Sequence, residues 1–148
     1  MTLKARIEQD MKSAMRAKDG VRLDAIRMLR AAIQRLEVDE RIELDDQRVL
    51  AVIQKLIKQG QDAATQFQAG NRDDLVDKEQ RQIDVFNTYL PDPLKDSEID
   101  DLVRTAVADV GANSIRDMGK VMGILKPKLQ GRVDMAVVSR KVQDSLQS

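Results

Sequence analysis

The residues best equipped for chemistry lie between Gly111 and Arg132. This stretch holds four of the chain's seven glycines, one of its three prolines, and Lys120, Lys126, Lys128 and Arg132. Gly119 and Gly123 are four apart, so on a helix they stack along one side and leave a strip without side chains. Such a strip beside cations lets a phosphate backbone come close while the lysines neutralise it. Gly119, Lys120, Gly123, Lys126, Lys128 and Arg132 therefore form the candidate nucleic-acid-binding set, and Gly131 is placed to end the segment. A second reading stays open: the two glycines permit close helix–helix packing, and the lysines keep a small bundle soluble. Both can hold, on opposite sides of one helix.

Little else in the chain suggests catalysis. Histidine and cysteine are absent, which removes the commonest general base and the ligands of a conventional structural zinc site. Neither a Walker-type phosphate loop nor a strand-borne Gly-x-Gly-x-x-Gly occurs. Ser97, Ser114 and Ser139 have no histidine to activate them. Ser139 and Lys141 are two apart, a spacing that does not put them on one helical face. No catalytic residue, cofactor or metal site is assigned, and no small-molecule substrate is evident. The three aromatics, Phe67, Phe86 and Tyr89, all precede the basic stretch, so bases have no aromatic platform to stack on there.

The 25 basic and 25 acidic side chains cancel, but they are unevenly placed. Residues 1–70 carry net +2, residues 71–110 carry −6, and residues 111–148 carry +4. A basic module thus follows an acidic one. Seven of the basic residues (Lys12, Arg16, Lys18, Arg22, Arg27, Arg30 and Arg35) make a second cluster, which an amphipathic helix would turn to solvent. Without cysteine there is no disulfide framework. No apolar run approaches the roughly 20 residues that span a bilayer, and Met1–Lys12 mixes both charge signs without a signal-like apolar core. A cytoplasmic protein with no membrane partner is the expectation.

The elements that must position these residues are all helical. Thr2 suits the cap of a first helix with Leu3, Ile7, Met11 and Met15 inward. After Asp19-Gly20, a second helix turns Leu23, Ile26, Leu29, Ile33 and Leu36 inward. Asp45 or Asp46 caps a third, with Val49, Ile53, Leu56, Ile57, Ala64 and Phe67 on one face. Asp73 or Asp74 opens a fourth through Leu75, Ile83, Phe86 and Leu90, with a Phe67–Phe86 contact across the hairpin. Pro91 and Pro93 stop the chain there. A fifth helix runs from about Glu98 to Gly111 with Ile99, Leu102, Val103, Ala106 and Val110 inward. A sixth, capped by Ser114, starts at Ile115, carries Met118, Val121, Met122 and Leu125 on one face, and kinks at Pro127 or stops near Leu125. Asp134 caps a seventh with Val138, Val142 and Leu146 inward. The expected architecture is all-α: an N-terminal four-helix domain over 1–90, a Pro-x-Pro hinge over 91–97, and a C-terminal three-helix bundle over 98–148.

These motifs resemble the GatB/YqeY family, and within it the stand-alone YqeY-like branch. The residues that carry the resemblance are Asp117-Met118-Gly119-Lys120-Val121-Met122-Gly123, Leu125-Lys126-Pro127-Lys128 and Gly131-Arg132. Supporting stretches are Arg27-Met28-Leu29-Arg30-Ala31-Ala32-Ile33, Ala69-Gly70-Asn71-Arg72-Asp73-Asp74-Leu75 and Tyr89-Leu90-Pro91, so the likeness covers essentially the whole chain. Pro93 and Lys95 depart from the glutamine and capping serine expected there. Gly60 stands where the family more often has arginine, on what is expected to be the third helix's exposed face. The resemblance implies a C-terminal bundle similar to the tail domain of the tRNA-dependent amidotransferase B subunit, the part associated with holding the tRNA body. Gly119, Gly123, Gly131 and Arg132 match that tail, whereas Lys120, Lys126 and Lys128 belong to the YqeY-like version. It also implies a family association with carbon–nitrogen ligase activity using glutamine as amido-nitrogen donor. The chain itself has neither an amidase domain nor a nucleotide-binding core. The function so implied is a tRNA-binding or accessory module, not catalytic alone, with tRNA or a tRNA-linked enzyme as partner. The alternative is a protein–protein adaptor that binds no RNA, docking through the acidic stretch Asp73–Asp109 or the tail bundle.

Overall fold

The computed structural model describes residues 1–147, and among these there are seven α-helices, one 3-10 turn and no strand. The helices are α1 (Leu3–Arg16), α2 (Gly20–Glu40), α3 (Asp46–Ala69), α4 (Asp73–Asn87), α5 (Asp96–Val110), α6 (Met118–Leu129) and α7 (Met135–Gln147). They form two compact units, Met1–Leu90 and a second beginning at Pro91. None is long and apolar enough to cross a membrane.

In the first unit the helix starts follow local chemistry. Thr2 Oγ1 accepts from the Ala5 N–H at 3.1 Å, Asp19 Oδ1 from Arg22 N–H at 3.2 Å, and Asp45 Oδ1 from Arg48 N–H at 2.9 Å. Each satisfies a donor that the first turn leaves without a partner. Asp46, the other candidate cap, instead accepts from Leu3 N–H at 2.9 Å and fastens the start of α1 to α3. The core is Ile7, Ala14, Ile26, Leu29, Ile33, Val49, Ile53, Ile57, Ile83, Phe86 and Tyr89 with their neighbours.

Three expectations for this unit are corrected. Met15 is 51% exposed, and Ala14 fills the core in its place. A four-residue repeat drifts by about 40° per step on a 3.6-residue helix, so the fourth member has left the buried face. Phe67 is half-buried and lies outside the core that Phe86 joins. Gly60 is buried, not on an exposed face: a methyl group there would sit 3.1 Å from Ile83 Cγ1 and 3.4 Å from Glu79 Oε2. The missing side chain lets α3 and α4 approach closely, and they form the most extensive helix pair in the chain.

The second unit packs α5, α6 and α7 around Ile99, Val103, Ala106, Val121, Leu125, Leu129, Val138, Val142 and Leu146. Gly111 ends α5 at φ +68°, a left-handed conformation natural to glycine. Asp134 Oδ1 accepts from Ala136 N–H at 2.9 Å and caps α7. Helix α5 starts at Asp96, two residues before the expected Glu98. Lys95 N–H donates to Glu98 Oε1 at 3.2 Å, half of a capping box. Lysine carries no acceptor for the reciprocal bond.

The entry to α6 differs from the sequence expectation. Ile115–Asp117 is a 3-10 turn, Ser114 makes no side-chain cap, and α6 begins only at Met118. Asp117 Oδ2 holds this turn by accepting from Asn113 N–H at 3.1 Å. Nor does α6 stop near Leu125. It continues through Pro127 to Leu129. Proline deprives the Gly123 carbonyl of its usual donor, but Gly123 and Pro127 both face solvent, where water can take that carbonyl. Leu129, wholly buried, anchors the final turn.

Candidate functional site

Helix α6 presents two faces of opposite character. Val121, Leu125 and Leu129 are fully buried, with Met118 and Met122 beside them. At about 100° per residue, Gly119, Gly123 and Pro127 succeed one another along the far side. All three are exposed, and a methyl group at Gly119 or Gly123 would have no neighbour within 4 Å outside its own helix. The glycines therefore do not serve helix–helix packing within this molecule. They leave a narrow track of bare backbone facing solvent, with the Pro127 ring as its last member.

Lys120 and Lys126 stand on either side of this track, and Lys128 lies further round the helix, about 80° from Lys120. All three are exposed, and among the described residues none is held in an ion pair. Arg116, exposed in the 3-10 turn just before α6, is a further cation at this end. Its position four residues before Lys120 was a spacing signal in the sequence. Lys126 and Lys128 fall in the last turn of α6, where positive charge also complements the helix dipole. Five expected residues, Gly119, Lys120, Gly123, Lys126 and Lys128, thus share one solvent-facing helix.

The other two are placed differently. Gly131 is buried at φ +86°, a conformation that turns the chain out of α6. Arg132 is partly buried: its Nε donates to the Asp92 carbonyl at 3.1 Å, and its own carbonyl accepts from Leu94 N–H at 3.1 Å. This two-way contact fastens the Pro91–Leu94 segment to the turn after α6. Sequence spacing gave no hint of it, because the partners are 40 residues apart.

The Ser139–Lys141 pair considered for catalysis is also resolved by geometry. Lys141 Nζ lies 2.7 Å from Asp100 Oδ1 and 3.0 Å from Asp96 Oδ1, joining α7 to the start of α5. Hydrogen bonds to Asp100 and then Asp96 raise its pKa above the ordinary lysine value. An ammonium held in this way takes no proton from a serine. Among the described residues no cluster of three or more His, Cys, Asp or Glu is arranged to hold a metal ion.

Two helical units, the second carrying a bare, cation-flanked helix face, define a class of small all-helical protein. The chain belongs to the family of YqeY-like proteins, whose family model matches residues 4–146. It is similar to altered inheritance of mitochondria protein 41, mitochondrial, of Pyrenophora tritici-repentis, at 35% identity over 94% of this chain and 78% of that protein. The protein of the same name from Lachancea thermotolerans is 37% identical over 58% of this chain, and that from Kluyveromyces lactis is 37% identical over 57%. In these two the match spans 46% of the relative's own length. The relatives correct the expectation of a cytoplasmic protein, since their names place them in mitochondria. That expectation rested on the missing cysteines, the lack of a membrane-length apolar run and a mixed-charge N-terminus without a signal-like apolar core. None of these separates one reducing aqueous compartment from another.

Proposed function

We propose that the chain is a tRNA-binding or accessory module, similar in role to the tail of the glutamine-dependent aminoacyl-tRNA amidotransferase B subunit, and not catalytic alone. The observation that carries this reading is the solvent-open track of Gly119, Gly123 and Pro127 between Lys120 and Lys126. A glycine in an exposed helix costs about 1 kcal/mol relative to alanine. Neither glycine offsets that cost with a packing contact in this molecule. Close approach of an external backbone is what a helix gains from them, and flanking lysines suit a polyphosphate. With no aromatic residue on this face, recognition rests on backbone and shape, as for a folded RNA.

The test is fluorescence anisotropy of the purified protein with total tRNA across a salt series. Log affinity should fall steeply with log salt. Lys120→Ala/Lys126→Ala/Lys128→Ala should weaken binding and flatten that slope while the far-UV circular dichroism is unchanged. Arg132 is left intact because its side chain holds the Asp92 segment. Absence of binding at low salt, or a triple variant with unchanged affinity, would overturn the proposal.

A further inference from the structure

We infer that the outer face of α2 is a dimerisation surface, and that its partner is the α2 of a second copy of this chain lying antiparallel to it. Helix α2 buries Ile26, Leu29 and Ile33. On nearly the opposite side, Val21, Asp24, Met28, Ala31, Arg35 and Val38 recur at alternating steps of three and four, the seam spacing of paired helices. All six are exposed, Val21 at 38%, Met28 at 43% and Val38 at 67%. A solvated helix face does not need apolar residues in that register. At about 1.5 Å per residue the seam is about 26 Å long.

The sequence of the seam identifies the occupant. If two copies of α2 run antiparallel about a two-fold axis midway between Leu29 and Arg30, Val21 meets the partner's Val38. Met28 meets the partner's Ala31, a large side chain against a small one. Asp24 then meets the partner's Arg35, and by symmetry the same pair forms again on the other side of the axis. Every layer is matched in size or sign, and the only two charges in the seam neutralise each other. Among the described residues neither Asp24 nor Arg35 is engaged in an ion pair within its own chain. Flanking the seam, Arg27 comes opposite the partner's Gln34, so no like charges meet. A parallel pairing would instead stack Asp24 on Asp24 and Arg35 on Arg35. Grooves border α2 on both sides, one against α1 lined by Glu8, Arg27 and Gln34, the other against α3 lined by Arg35, Asp39 and Lys55. The helix therefore stands as a ridge accessible to a neighbour.

Sedimentation velocity of the full chain over a concentration series, paired with circular dichroism, tests this directly. The wild type should pass from monomer to dimer as concentration rises. Asp24→Arg and Arg35→Asp, each at an exposed position, should keep the helical spectrum and weaken dimerisation by roughly tenfold or more, because each homodimer then contains two like-charge pairs. An equimolar mixture of the two single variants should dimerise again, since arginine at 24 then faces arginine's replacement at 35 and aspartate at 24 faces arginine at 35. The double variant Asp24→Arg/Arg35→Asp should also restore the dimer. A wild type that stays monomeric throughout would overturn the inference and leave the face to a different partner. Single variants that dimerise as tightly as wild type, or a mixture that remains monomeric, would overturn the antiparallel register.

Discussion

Replacing Gly119 and Gly123 together by alanine separates what these residues do for the helix from the close approach of a ligand proposed for them. Neither has the positive φ that would strain an alanine, and a methyl group at either has no neighbour within 4 Å. Gly123 lies inside α6, where alanine is worth about 1 kcal/mol. Gly119 is the second residue of the helix, where the gain is smaller, so the pair should add about 1.5 kcal/mol. For a unit of about 60 residues that raises its Tm by about 6–12 °C. The same two methyl groups fill the track between Lys120 and Lys126. Holding a phosphate about 2 Å further from each lysine costs about 0.3 kcal/mol per lysine in a water-like dielectric. Affinity for tRNA should therefore fall about threefold, with the salt slope unchanged because the cations remain. Thermal denaturation and anisotropy on the same preparation read both effects. A variant that is more stable and binds tRNA as tightly as wild type would refute the close-approach argument. A lower Tm would show that the glycines serve the fold after all.

Three further outcomes follow from the structure. Gly60→Val should destabilise the first unit by about 1–3 kcal/mol, because even a methyl group there would press 3.1 Å from the buried Ile83; an unchanged urea midpoint would show that α3 and α4 can separate freely. Lys95→Ser should stabilise α5 by about 1 kcal/mol by completing the box that Glu98 half-forms, and an unchanged midpoint would count against that cap. Tyr89, the chain's single tyrosine, is buried with its hydroxyl donating to Asp10 Oδ2 at 2.6 Å, and burial followed by that bond pushes its pKa well above the ordinary phenol value. The folded state favours the neutral phenol, so this contribution is whole below about pH 10 and is lost as pH rises through the higher folded value. Absorbance at 295 nm should show tyrosinate only together with loss of helical signal, whereas ionisation near pH 10 in a folded chain would contradict the buried placement.

Periodicity alone determined much of this protein. The apolar stripe of α3 put Val49, Ile53 and Ile57 on one buried face, because an amphipathic helix must hide that stripe wherever it packs. Thr2, the Asp45-Asp46 pair and Asp134 announced helix starts because a cap is satisfied within three residues of itself. The Gly119–Gly123 spacing and the flanking lysines were equally legible, since both are relations along one helix. What the sequence left open depended on contacts between distant segments. Whether the glycine strip met another helix or solvent turned on which side of α6 the core of α5 and α7 occupied. Pro127 stays helical where Gly123, whose carbonyl loses its donor, is exposed to water and Leu129 is buried. Arg132 is tied to Asp92, Lys141 to Asp96 and Asp100, and Gly60 to Ile83, none of them near neighbours in the chain. A short-range code fixes turns and faces; the third dimension decides which face is left free for a ligand, because burial belongs to the assembled helices and not to any one of them.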